Sequence, residues 1–149
     1  MNNQAVITGD FELMAKLEML GRKSLTAVLK PAVNKGLNPI MQKAKQNCKW
    51  NSLRKLIGKK TGKTKKGTIS GKVYMKPSKE RTIKLNGRDV GFEAVANILE
   101  FGSSKQNIRP QPFMRPARQQ AHSQALTEFQ KEAESRLKKL AESGKDTSK

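Results

Sequence analysis

Residues 98–117 read ILEFGSSKQNIRPQPFMRPA and form the junction between two predicted helices. Upstream, Phe92, Val95, Ala96 and Leu99 recur at helical spacing, and Gly102 is a suitable helix end. The stretch 103–112 is rich in polar residues and proline, so it predicts a loop. A proline is favoured in the first turn of a helix, and Pro116 therefore marks the start of the last helix.

That last helix carries one apolar stripe made mostly of alanine. Its members are Ala117, Ala121, Ala125, Phe129, Ala133, Leu137 and Leu140. The small residues near its start would allow close packing against a neighbour. Residues 143–149 predict a disordered polar tail.

The first half of the chain predicts further helices. Asp10 is a candidate N-cap for a short helix that ends at Gly21. A second apolar stripe extends from Leu25 to Cys48. Pro31 and Pro39 interrupt it, so the pattern fits either one kinked helix or two shorter ones.

Alternating residues between these helices predict a short sheet. Residues 69–76 and 82–85 each alternate with period two, and the turn 77–80 between them suggests an antiparallel hairpin. Asn86-Gly87 is a second turn signal. We expect one α+β domain over residues 1–142, with N-terminal helices, a short antiparallel sheet with a basic loop, and a long C-terminal helix.

Positive charge is concentrated in one part of the chain. The 149 residues carry a formal net charge of +19, and residues 19–79 contain 17 lysines and arginines and no acid. Such density predicts an extended, mobile loop over residues 49–66 that contacts DNA or an acidic partner. The alternative is a solvated basic surface. The candidate contact residues are Lys49, Arg54, Lys55, Lys59, Lys60, Lys63, Lys65 and Lys66.

Aromatic residues are scarce in the stretch 49–66, where Trp50 is the only one. A surface that stacks on bases needs several aromatic side chains. Any contact with nucleic acid is therefore expected to be electrostatic and independent of base sequence.

The composition argues against catalysis, cofactors and metals. One cysteine, Cys48, and one histidine, His122, are too few for a disulfide framework or a His-based metal cluster. Residues 58–64 resemble a phosphate-binding loop, but Ile57 stands where that motif needs glycine. Glu93 and Glu100 are seven residues apart and read as solvent-facing or interface charges, with Arg109 or Arg115 as a partner for Glu100. We expect a binding or structural protein without a signal peptide or membrane span.

The segments Ile98–Ser103 and Pro110–Ala117 resemble a known pair of motifs. Small head–tail joining, or tail-completion, proteins of long-tailed bacteriophages (the lambda protein Z-like family) have a helix ending in Glu-Phe-Gly-Thr. A loop then leads to Pro-Phe-Leu-Arg-Pro-Ala and a long last helix. This chain has Ser103 for the Thr and Met114 for the Leu. The resemblance spans about residues 5 to 140 and is poor around Lys49-Trp50.

The resemblance implies a structural protein of the virion neck, assembled in the host cytoplasm and without enzymatic activity. Copies would form a ring, commonly of six, through which double-stranded DNA passes. The partners would be the head connector or stopper on one side and the tail terminator or tail tube on the other. The expected subunit or ring interface consists of Glu100, Phe101, Gly102, Pro112, Phe113, Arg115 and Pro116.

Within that interface, Phe113 between two prolines is expected to be a rigid anchor whose removal would leave the fold intact. Two other functions remain open at this point. One is a tail terminator, which caps the tube at the same location. The other is a basic accessory protein that binds nucleic acid without sequence preference.

Overall fold

The computed structural model describes residues 21–63, 68–77, 82–85 and 87–145 and confirms a mixture of helix and sheet. In chain order the elements are α1 (Arg22–Asn47), α2 (Asn51–Arg54), β1 (Ile57–Lys63), β2 (Ile69–Met75), β3 (Thr82–Leu85), β4 (Arg88–Gly91), α3 (Phe92–Phe101) and α4 (Met114–Lys145). The helix predicted after Asp10 lies outside the described residues, as does the end of the predicted tail, 146–149. The prediction of a disordered tail is wrong for residues 143–145, which form the end of α4.

α1 is a single helix of 26 residues that contains both Pro31 and Pro39. The alternative of two shorter helices is therefore wrong. Packing explains why the prolines are tolerated: the stripe of α1 is covered along its length by α4 and the first sheet, and Pro39 itself is buried.

α1 and α4 pack against each other in opposite directions. Asn47, at the end of α1, donates hydrogen bonds to the Phe113 carbonyl (3.5 Å) and to Gln120 Oε1 (3.2 Å), near the start of α4. Gly36 lies so close to α4 that a Cβ atom there would be 2.9 Å from the carbonyl oxygen of Ala125. The small residues of the α4 stripe therefore pack closely against a neighbour, as predicted.

The strands form two antiparallel hairpins. β1 pairs with β2 and β3 pairs with β4, so the predicted pairing of 69–76 with 82–85 is wrong. The second turn signal is correct, since Gly87 has a φ of 78° between β3 and β4. β1 was missed because only Ile57 gives it an apolar residue of strand type; its conformation comes from pairing with β2 and from contact with α1.

The expected basic loop at 49–66 is wrong over most of its length. Residues 51–54 are helical and residues 57–63 are strand β1. Local repulsion between cations is offset here by burial of Leu53 and Ile57, each 1% exposed. Lys65 and Lys66 lie outside the described residues.

The core has two parts along the α1–α4 pair. At one end, Leu53, Ile57 and Phe113 are enclosed by residues of α1, α3 and α4. At the other end, Val28 and Ala32 of α1 pack against Ala133 of α4. The larger cluster fixes α3 and the start of α4 relative to each other. Within the described ranges, no helix is long and apolar enough to cross a membrane.

Candidate functional site

The Glu100 carboxylate, at the end of α3, holds the first turn of α4. Its Oε2 atom accepts hydrogen bonds from the backbone N–H groups of Phe113 (2.9 Å) and Met114 (3.0 Å). Its Oε1 atom accepts from the backbone N–H of Arg115 (2.9 Å) and from the Arg115 Nε (3.2 Å). One buried carboxylate, 6% exposed, thus satisfies three backbone donors at the start of a helix of 32 residues.

Local sequence explains why this cap comes from another helix. The free N–H groups at a helix start are usually satisfied by a Ser, Thr, Asp or Asn side chain just before it, but Phe113 has no acceptor there. Pro116 has no backbone N–H, so the donors that need a partner are those of residues 113–115. A carboxylate at a helix N-terminus is also favoured by the helix dipole.

Hydrogen bonding dominates the ionisation of Glu100. Burial raises the pKa of its carboxyl group, whereas the three backbone donors and the Arg115 side chain lower it by more. The net pKa is below the ordinary value, so Glu100 is a carboxylate at neutral pH. Of the two arginine partners that the sequence offered, Arg115 is the one that pairs with it.

An exposed aromatic ring lies directly beside this cap. Phe101 is 64% exposed, and the Arg115 guanidinium lies over its ring at 4.9 Å from the centroid. The Arg115 Nη2 donates to the Glu100 carbonyl at 2.6 Å, so the guanidinium is fixed on both sides. Phe101 and Arg115, which we call the Phe101–Arg115 pair, form a rigid aromatic and cationic surface.

Gly102 makes the turn after this pair possible. Its φ is 77°, and a Cβ atom there would lie 2.9 Å from the Ile108 carbonyl oxygen and from Pro110 Cδ. Ser103 and Ile108 then exchange two backbone hydrogen bonds of 2.9 Å, which close the loop before α4.

Not every residue of the expected interface is exposed. Glu100 is buried and its carboxylate is bound within its own chain, so the expectation of a solvent-facing or interface charge is wrong. Phe113 is 1% exposed inside the larger core cluster, so the expectation that it is an accessible anchor is wrong. The chain turns at the adjacent prolines, and the Phe113 ring packs into the larger core cluster of the same chain. Pro112 is exposed and Pro116 is half-buried in the first turn of α4.

The basic candidates divide into two groups in the structure. Arg54 donates to the Cys48 carbonyl from Nε (3.2 Å) and Nη2 (2.8 Å), and Lys59 donates to the Asn34 carbonyl (2.8 Å) and to Asn38 Oδ1. Burial and the nearby Lys35 lower the pKa of Lys59. These two side chains are therefore engaged within the chain, while Lys49, Lys55, Lys60 and Lys63 are exposed.

Lysines dominate the outer face of the β1–β2 hairpin. The inner face contacts α1, as shown by Gly71, where a Cβ would meet Val33 and Leu37 side-chain atoms at 2.6 and 2.7 Å. Residues alternate between faces, and the register places Lys60 directly opposite Lys72, and Gly58 opposite Tyr74. We call the outer positions the ribbon face: Gly58, Lys60, Gly62, Ser70, Lys72, Tyr74 and Lys76.

A groove of about 540 Å³ opens between α1, β2 and the first turns of α4. Half-buried apolar side chains line it: Leu37, Ile40, Val73 and Met114. Cations form the rest of its polar wall, at Lys72, Arg115 and Arg118. The Phe101–Arg115 pair thus adjoins an apolar groove with a positive rim.

The single cysteine has a structural position. Cys48 is fully buried, and burial raises the pKa of its thiol more than backbone hydrogen bonding to Trp50 and the positive charge of Arg54 lower it. It is the small core residue that the helical stripe predicted. Among the described residues, no group of three or more His, Cys, Asp or Glu side chains could hold a metal ion.

Sequence reasoning missed three features of the site. The Glu100 cap acts between helices, whereas capping signals are normally local in sequence. The groove combines residues from three elements that are far apart in sequence. The only hint of it in the sequence was that Leu37, Ile40 and Met114 are apolar. The opposition of Lys60 and Lys72 depended on a strand pairing that the sequence did not reveal.

Comparisons with protein-family models, with curated proteins and with solved structures find no match for this chain.

Proposed function

We propose that this chain is a structural protein of a bacteriophage neck. It joins the DNA-filled head to the tail as an oligomeric ring, between the head connector or stopper and the tail terminator or tube, and double-stranded DNA passes through the ring. Its work is binding and positioning rather than bond-making chemistry. It is assembled in the host cytoplasm and remains in the virion.

The observation that carries this proposal is the Glu100 cap. The two motif halves that resemble the joining family are separated by a loop, and Glu100 of the first half binds the backbone of residues 113–115 in the second. Phe113 and Ala117 then enter the core together. The motif residues therefore form one structural unit, which supports the resemblance as more than a chance similarity of short segments.

In the same unit, the Phe101–Arg115 pair stays exposed and is accessible to another molecule. Aromatic residues and arginine are enriched in the energetically dominant parts of protein interfaces. Phe101 is a large exposed hydrophobic residue held in place by Gly102 and Arg115, so little entropy is lost when a partner covers it. We assign the contact with a neighbouring subunit or adjoining ring to this pair and the groove beside it.

The test is a phage whose gene for this chain is deleted. We expect filled heads and finished tails to accumulate separately, and joined particles to appear when the purified chain is added, counted by electron microscopy. Joining at the normal yield without the chain would contradict the proposal.

The variant Phe101→Ala tests the contact surface. Because Phe101 is exposed, the variant should keep its helix content and melting temperature but fail to restore joining. His122→Ala, an exposed change on α4, is the matched control and should restore it fully. Normal joining by Phe101→Ala would remove the pair from the interface.

Two alternatives make different predictions in the same experiments. A tail terminator stops growth of the tube, so deletion would give tails of excessive length instead of normal unjoined tails. A basic accessory protein is favoured by the lysines of the ribbon face. It would bind nucleic acid tightly as a monomer, and its deletion would leave joining intact.

A further inference from the structure

We propose that the ribbon face is the surface of this protein that contacts the phosphate backbone of duplex DNA. The proposal rests on the neck function for its choice of duplex DNA, and it names which lysines meet the DNA. The Phe101–Arg115 pair and the apolar part of the groove are assigned to protein contacts instead, and Lys72 lies where the groove and the ribbon face meet.

The first argument is the register of β1 and β2. Lys60 and Lys72 are directly opposite each other on one face, and both are exposed. Like charges in this arrangement destabilise a hairpin. Among the described residues, the ion pairs join Glu100 to Arg115 and Glu132 to Arg136, so no carboxylate there neutralises the two lysines. An external polyanion would do so.

The second argument is the composition of the face. Its side chains are three lysines, a serine and a tyrosine, with glycine at the other two positions. The stem of Lys76 lies flat over Gly58, where a Cβ atom would be 2.6 Å from Lys76 Cε. Lysine is depleted in protein–protein interfaces, whereas contacts to phosphate are made mainly by lysine, arginine, hydroxyl groups and backbone N–H.

The third argument is the contrast with the surfaces beside it. The groove has an apolar lining of leucine, isoleucine, valine and methionine. A charged phosphate backbone would form no favourable contact with these side chains. Lys59, the neighbour of Lys60, points to α1 and is bound by Asn34 and Asn38. The strand alternation therefore separates Lys59, which is bound within the fold, from Lys60, which lies on the outer face.

The ribbon face has little means of reading bases. Tyr74 is its one aromatic residue, and the Lys72 Nζ lies 5.7 Å from the centroid of that ring. Recognition of the backbone alone does not depend on base sequence. Such a contact would guide a passing duplex without holding it at one site.

The experiment measures binding of the full chain to a duplex of about 30 base pairs by fluorescence anisotropy, from roughly 50 to 300 mM salt. The double variant Lys60→Gln and Lys72→Gln should bind roughly tenfold or more weakly near 100 mM salt. The slope of log affinity against log salt should fall by about two, close to one for each lost phosphate contact.

The matched control is Lys138→Gln and Lys139→Gln, which removes the same charge from an exposed part of α4. It should keep the wild-type slope. Equal loss in both variants would overturn the proposal, since binding would then follow net charge and not the ribbon face. Absence of duplex binding by the wild-type chain would overturn it too.

A third outcome assigns the ribbon face to an acidic protein. In that case the Lys60→Gln and Lys72→Gln variant would bind DNA normally but fail to join heads to tails, and the proposal would be wrong. Duplex binding by the purified chain needs no assembly partner. Its result is therefore independent of the deletion experiment that tests the neck function.

Discussion

The Glu100 carboxylate on α3 accepts hydrogen bonds from the first backbone N–H groups of α4. In most helices this acceptor is a side chain next to the helix start in sequence. The loop between the helices is shaped to allow this, with Gly102 at positive φ and Gln111 donating its backbone N–H to the Leu99 carbonyl at 2.6 Å. Removal of the carboxylate charge would leave buried backbone donors poorly satisfied.

Glu100→Gln is therefore expected to lower the free energy of unfolding by about 2–3 kcal/mol, since a neutral amide has one acceptor oxygen for three donors. Urea unfolding followed by circular dichroism measures the change. The control is Glu93→Gln on the exposed side of α3, expected within about 0.5 kcal/mol of wild type. Equal effects in both variants would show that the cap contributes nothing specific.

The stabilisation by Glu100 depends on pH with a definite sign. Its pKa is lower in the folded chain than in the unfolded chain, so the folded state is favoured above the unfolded value of 4.5. This contribution is lost as pH falls through the folded pKa. We expect the stability difference between wild type and Glu100→Gln to be full at pH 7 and to shrink below pH 4.5. A difference that stays constant down to about pH 3 would contradict this assignment.

At the scale of elements, periodic patterns were predictable and pairings were not. The stripes of α1 and α4 identified both helices, because Val28 and Ala32 of α1 are four residues apart and buried, as are Ala121 and Ala125 of α4. The partner of β2 was not predictable, because residues 58–63 contain no apolar side chain to mark a strand. Phe113 was misplaced for a similar reason: adjacent prolines indicate a rigid turn but not the direction in which it leads.

The close approach of α1 and α4 predicts the effect of Gly36→Ala. Alanine favours a helix over glycine by about 1 kcal/mol, but its Cβ would lie 2.9 Å from the Ala125 carbonyl oxygen and 3.2 Å from Phe129 Cβ. Two rigid helices would have to separate, so we expect a net loss of about 1–3 kcal/mol. Thermal unfolding measures it.

The control for this variant is Gln42→Ala, an exposed change on the same helix. It should alter stability by less than about 0.5 kcal/mol. If Gly36→Ala were more stable than wild type, the gain in helix propensity would exceed the cost of the steric clash with α4. The close packing of the two helices would then not require glycine at this position.

The opposed lysines of the ribbon face predict a stabilising mutation. Lys60→Glu places a carboxylate directly opposite Lys72 in place of a second ammonium group. It should raise the free energy of unfolding by about 0.5–1 kcal/mol. Lys63→Glu removes the same net charge opposite Ile69 and should gain less. Melting temperatures of the two variants provide the comparison, and equal gains would indicate a general charge effect.

At the scale of the whole molecule, net charge was predictable but its arrangement was not. The total of +19 follows from the sequence, whereas the placing of Lys59 toward the fold and of Lys60 and Lys72 on its surface follows from the register of β1. The interface that the sequence indicates near Glu100 stays a prediction. The sequence could not distinguish Phe101, which is exposed, from Phe113, which is buried.

Self-repulsion of this charge predicts a rise in melting temperature with salt. Between about 20 and 500 mM NaCl the Debye length falls from roughly 20 to 4 Å, which screens repulsion among the exposed lysines. Differential scanning calorimetry across this range measures the effect. A melting temperature that falls with salt would mean that attractive pairs, such as Glu132 with Arg136, outweigh the repulsion.

The position of Glu100 ahead of α4 in the chain has a consequence for biosynthesis. A ribosome releases the polypeptide from its amino terminus, so the acceptor for the first turn of α4 leaves the exit tunnel before any residue of that helix. The Glu100 carboxylate has therefore already left the exit tunnel when the first turn of α4, which it caps, emerges. A circular permutant opened in the loop between Ser103 and Pro112 would reverse that order while keeping both Glu100 and the three backbone donors that it accepts from.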